Sequence, residues 1–130
     1  MRALGAVTVL VADYDEAIRH YTDVLGFALV EDTDLGGGKR WVQVAPSPDA
    51  STRLLLAKAS GESQQARIGD QTGGRVGFFV ETDDFWRDHR AMAARGADFR
   101  ETPREEAYGT VAVFADLYGN LFDLIERRRP

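Results

Sequence analysis

The chain has no cysteine, which excludes a disulfide, a zinc–thiolate centre and a thiol nucleophile. It has only two histidines in 130 residues, His20 and His89. Nowhere does an apolar run reach the length that crosses a bilayer, and the opening Met1-Arg2-Ala3-Leu4-Gly5 lacks the apolar stretch of a secretion signal. The expected compartment is a reducing cytoplasm, with no membrane partner. Positive charge is also scarce: 16 Lys and Arg against 21 Asp and Glu leave a net charge of −5. A surface of that sign repels phosphate backbones, so nucleic acid is not an expected partner.

What is present is an ordinary globular composition, 44% hydrophobic and 28% charged, of a size that folds as one domain. Within it a pattern occurs twice. Val7–Leu25 reads VTVLVADYDEAIRHYTDVL, and Val76–Ala94 reads VGFFVETDDFWRDHRAMAA. Val7 answers Val76, Val11 answers Val80, Asp15 answers Asp84 and His20 answers His89. After one inserted residue Gly26 answers Gly96 and Glu31 answers Glu101. Each copy spells strand, acidic turn, amphipathic helix, glycine, strand.

In the first copy alternation predicts a strand over Ala6–Val11. A helix over Asp15–Leu25 is capped by Asp13 or Asp15, with Ala17, Ile18, Tyr21, Val24 and Leu25 on one face. Strands follow at Phe27–Glu31, Arg40–Ala45 and Arg53–Ala57, with a flexible Asp34–Lys39 turn between the first two. The polar stretch Ala59–Gly74 reads as a linker. The second copy predicts strand Arg75–Val80, helix Asp84–Arg95, and strands Asp98–Glu101, Thr110–Ala115 and Asn120–Glu126. A charged loop spans Thr102–Gly109, and Arg127–Pro130 forms a solvated tail. The fold class is α+β: two tandem βαβββ modules forming a curled mixed-sheet cup with helices on its outer face. Module one covers residues 1–59, the linker 60–74 and module two 75–127.

Three stretches carry a resemblance. Val7–Phe27 holds Asp13, Tyr21 and Leu25-Gly26-Phe27. Gly74–Gly96 opens the second module. Asp116-Leu117-Tyr118-Gly119-Asn120-Leu121-Phe122-Asp123-Leu124 forms a final turn and strand. In these the chain resembles the vicinal-oxygen-chelate superfamily, which includes glyoxalases, extradiol dioxygenases, fosfomycin-resistance enzymes and bleomycin-binding proteins. The resemblance implies paired βαβββ modules, a homodimer, and in active members a divalent metal held by four side chains in the cup. Carried over, those positions are Ala6, Leu54 (or its neighbour Leu55), Arg75 and Asp123. Alanine and leucine offer no donor, and a guanidinium repels cations. Only Asp123 retains a carboxylate, and one carboxylate holds a divalent ion poorly. No cofactor is therefore expected; a divalent metal is the alternative.

If the ligand positions face the cup, strand parity places Ala6, Thr8, Leu10, Arg75, Gly77, Phe79, Leu121, Asp123 and Ile125 there. Val7, Val9, Val11, Val76, Phe78, Val80, Phe122 and Leu124 would pack beneath the helices. Convergence of the ligand positions predicts an Arg75–Asp123 ion pair in place of the metal. Trp41 and Gln43, which share a parity, and Tyr108 offer stacking and orienting groups at a sheet mouth. The expected ligand-binding set is thus Arg75, Asp123, Trp41, Gln43, Phe79 and Tyr108. Each of these also has an ordinary structural reading: packing for the aromatics, charge pairing for the ions. His20 and His89 fall on the helices, outside the cup, and Gly36-Gly37-Gly38-Lys39 is a hairpin turn rather than a phosphate loop. The expected function is binding of a small organic molecule, in the cup or in the groove of a dimer, by a glyoxalase/bleomycin-resistance-like protein. The alternative is a glyoxalase-like lyase, isomerase or dioxygenase whose metal site is rebuilt around Asp123.

Overall fold

The computed structural model describes residues 1–129. The chain divides into two compact units, Met1–Gln71 and Thr72–Pro130, and each repeats one scheme. In the first, β1 (Ala6–Val11) leads to α1 (Tyr14–Arg19), which runs on as a π-helical turn over His20–Val24. β2 (Ala28–Gly36), β3 (Lys39–Ala45) and β4 (Arg53–Lys58) complete a sheet ordered β1-β4-β3-β2. Here β1 runs parallel to β4 and the other pairs are antiparallel. A short α2 (Gly61–Gln65) follows. The second unit contains β5 (Phe78–Glu81), α3 (Phe85–Ala94), β6 (Asp98–Phe99), β7 (Arg104–Glu106), β8 (Gly109–Ala115) and β9 (Leu121–Arg127). Its sheet is ordered β5-β9-β8-β6, with β7 also on β8. Again the first strand is parallel to the last. The α+β class and the doubled βαβββ module are as the sequence implies.

The acidic turns do what their position demands. Asp13 Oδ2 accepts the amide of Glu16 at 2.8 Å, and Asp84 Oδ1 accepts that of Arg87 at 3.1 Å. Each satisfies a free donor at a helix start. One face of each sheet is then sealed by a helix. In the first unit Val9, Val11, Val42, Val44 and Leu56 are fully buried with Ala17 and Tyr21 of the helix. In the second, Phe114, Phe122 and Leu124 pack with Phe85. His89 stacks between Phe85 and Phe99, with ring centroids 5.5 and 4.2 Å away, so it belongs to this packing; desolvation lowers its pKa.

Several boundaries differ from the sequence reading. β2 extends to Gly36, because Arg40 on β3 clamps Asp32 through two hydrogen bonds (3.1 and 2.7 Å) and so holds the hairpin shut almost to its glycine tip. The linker holds α2, and its end is tethered. Gln71 Oε1 accepts the amide of Leu10, and Gln71 Nε2 donates to the carbonyl of Thr8 at 3.0 Å, which occupies the free edge of β1. The charged loop after β6 contains β7; Pro103, which has no N–H, interrupts what would otherwise be one edge strand. β5 begins at Phe78, leaving Arg75 ahead of the strand, while Arg127, expected in the tail, closes β9.

Candidate functional site

Strand register decides which side chains share the faces opposite the helices. In the first unit Thr8 lies beside Leu55, Leu55 beside Gln43, and Gln43 beside Glu31. One step on, Val9, Leu56 and Val42 form the buried row under the helix. Leu54 aligns with Val7 and Val44, so it faces the helix side. The placement of Leu54 among the ancestral ligand positions is thus corrected: Leu55 shares the face of Thr8, and Arg53 that of Ala6. The slip arose because the register of a parallel pair is fixed across the sheet, and a single residue of slip exchanges faces.

Trp41 stands on the helix-free face of β3 and is 39% exposed. It lines a cavity of about 650 Å³ at the end of the sheet, with Leu55, Ala57, Lys58 and Gln64 and with Tyr14 and Arg40 from the helix side. That is a volume typical of small-molecule sites. Gln43, two residues along, is buried, and its Oε1 accepts a hydrogen bond from Arg53 Nη1 at 3.2 Å.

In the second unit Asp123 is flanked by Phe79 of β5 and Val113 of β8. Phe79 is exposed, as is Tyr108 in the turn before β8. The expected Arg75–Asp123 pair is not formed. Asp123 Oδ1 is buried with no hydrogen-bond partner. Burial pushes its pKa above the ordinary 3.8, Arg104 pulls it down, and Glu101 pushes it up. Arg75 takes no part in this balance and lies exposed. Arg104 reaches the site from β7, the strand that the sequence reading took for loop. It is itself held by Glu101 (3.0 Å) and Glu106 (2.7 Å), and Glu101 Oε2 also accepts the amide of Val113 at 2.9 Å. Glu101, Arg104 and Arg53 were missed by sequence reasoning. The alternating charges of Glu101-Thr102-Pro103-Arg104-Glu105-Glu106 were the available signal for the first two.

These residues do not fit the divalent metal of the superfamily's active members. Ala6 and Leu55 carry no donor, Arg75 is a cation, and Glu101 is engaged by Arg104 and the Val113 amide. Among the described residues no group of three or more His, Cys, Asp or Glu gathers into a metal-holding cluster.

A raised pKa makes a statement about stability. Asp123 binds its proton more tightly folded than unfolded. Its favourable contribution is therefore complete below the ordinary value of 3.8 and is lost as pH rises through the raised one. At neutral pH the ionised, partnerless carboxylate is a cost. Asp123→Asn is expected to raise the melting temperature at pH 7, with the gain vanishing as pH falls below about 4. Thermal denaturation across that range checks it; a gain independent of pH would mean the charge is not the cause.

The doubled module, with its sealed and open sheet faces, defines a class. The chain belongs to the Glyoxalase/Bleomycin resistance protein/Dioxygenase superfamily, whose model matches residues 3–124. Among its relatives, an uncharacterised protein of Shewanella frigidimarina is 51% identical over 121 residues, covering 92% of this chain and 90% of that one. The crystal structure of UcmS2 is similar with a TM-score of 0.82 at 31% identity, over 96% of this chain and 98% of that chain. TnmS3, an antibiotic-binding protein from Streptomyces sp. CB03234, gives 0.80 at 27% identity over 98% of both. No helix is long and apolar enough to cross a membrane among the described residues.

Proposed function

We propose that this protein binds a small organic molecule with a planar aromatic part, in the cavity beside Trp41 at the end of its first sheet. The observation that carries the reading is Trp41, an indole left partly exposed where it lines a cavity of about 650 Å³ beside Leu55 and Ala57. An aromatic ring there offers a large, rigid stacking surface at little entropic cost. The likeness to TnmS3, described as an antibiotic-binding protein, supports a small organic ligand. Gln43 is assigned as a polar contact on the helix-free face of the same sheet. Phe79, Asp123, Arg75 and Tyr108 are assigned as ligand contacts on the second unit's own sheet face. We infer further that the chain acts as a cytoplasmic homodimer without nucleic-acid or membrane partners; its net charge of −5 supports the absence of a nucleic-acid partner.

The test uses tryptophan fluorescence and thermal shift with a panel of planar aromatic compounds. At least one is expected to quench fluorescence and raise the melting temperature. Trp41→Ala is expected to weaken its binding about thirtyfold, a loss of ~2 kcal/mol. Trp86→Ala, on the exposed side of α3, is expected to leave affinity unchanged. Equal affinity for wild type and Trp41→Ala would overturn the reading.

A further inference from the structure

The first sheet holds a guanidinium with no acid. Arg53 opens β4 opposite Ala6 of β1. Its Nη1 donates to Gln43 Oε1, while its Nε is buried and makes no hydrogen bond. Among the described residues no carboxylate pairs with it. Glu31, across from Gln43, is exposed and accepts instead from Thr33 Oγ1 at 3.1 Å.

An arginine keeps its proton, and the half-buried Arg53 carries a charge that an anion would partner. Gln43 does not supply one, because its carbonyl is neutral. With one lone pair of that carbonyl taken by Arg53, Gln43 still has its side-chain N–H groups to offer an anion. The two side chains together present donors and a positive charge, and lack an anionic acceptor.

The position of that acceptor follows from the register. Arg53 reaches Gln43, whose row contains Leu55 and Thr8. Trp41 stands two residues further along β3 on the same face, about 7 Å away at the rise of a strand. We propose that Arg53 and Gln43 bind the carboxylate of the ligand whose ring stacks at Trp41. The ligand class is then an aromatic acid with ring and carboxylate about 7 Å apart. This rests on the ligand site proposed above.

The test compares 1-pyrenebutyrate with 1-pyrenebutanol, which share ring and spacer and differ in the anion, by fluorescence anisotropy on the full chain. The wild type is expected to bind the acid at least about tenfold more tightly than the alcohol, with a preference that shrinks as salt rises. Arg53→Met is expected to erase the preference while leaving the alcohol's affinity unchanged, and Arg53→Lys to restore part of it. Equal binding of both probes by the wild type, with affinity still dependent on Trp41, would overturn the anionic subsite and leave the aromatic site standing. Binding of neither would overturn both. The wild-type comparison requires no variant to fold.

Discussion

Gly109→Ala is expected to prevent the second unit from folding, at a cost of about 4 kcal/mol or more. Gly109 begins β8, facing Arg127 of β9 and Glu106 of β7 at once. It is buried, and its φ of +152° is one that L-residues rarely adopt. A Cβ built there would lie 2.1 Å from the carbonyl oxygen of Glu126 and 3.0 Å from Arg127 Cα. Both obstacles are backbone, so no rotamer change relieves them; β9 would have to move, and with it Asp123. The hairpin tip gives the contrast. Gly37 also has positive φ, at +64°, but a Cβ there meets nothing within 4 Å. Gly37→Asn is expected to change stability by less than about 1 kcal/mol, since asparagine tolerates the left-handed region. Urea denaturation of both variants separates the two causes. A Gly109→Ala protein within 1 kcal/mol of wild type would mean that the Glu126 carbonyl does not oppose a side chain at residue 109.

The contrast between these two glycines also shows what a sequence can and cannot reveal. Valine alternation at Val7, Val9 and Val11 and the acid before each helix are local signals. They located β1, α1 and α3 to within a few residues, because the pleat and the cap are set by neighbours in the chain. Register is not local. Which of Leu54 and Leu55 shares a face with Thr8 depends on how β4 aligns with β1, more than forty residues away. The cation that acts on Asp123 likewise comes from β7, a three-residue strand that exists because its partner β8 holds it. No period of hydrophobicity marks Arg104-Glu105-Glu106 as a strand. Parity along one strand is local, so that Trp41 and Gln43 share a face of β3 could be read from the chain. The face of Leu54 and the cation beside Asp123 depend on register and could not.

Asp116→Ala is expected to destabilise the chain by about 3 kcal/mol or more, through a turn rather than a core. Asp116 ends the β8 side of the β8–β9 connection and is buried. Its Oδ1 accepts the amides of Tyr118 and Asn120, each at 2.9 Å, and its Oδ2 accepts Asn120 Nδ2 at 2.8 Å. The main chain closes the same turn, with Asp116 N donating to Asn120 O and Gly119 N to Asp116 O. Alanine removes the acceptors and strands their donors, each at roughly 1–3 kcal/mol. Asp116→Asn isolates the side-chain term: it keeps one oxygen for the two backbone amides, and Asn120 can turn its own oxygen toward the new N–H. It is therefore expected to cost less than Asp116→Ala, measured by denaturant unfolding. Because β9 leaves this turn with Leu121 and carries Asp123 two residues later, a looser turn also moves the Asp123 carboxylate. Loss of the pH-dependent gain of Asp123→Asn in an Asp116→Ala background is the sign that the turn fixes where that carboxylate is buried. Additive effects of the two substitutions would refute that coupling.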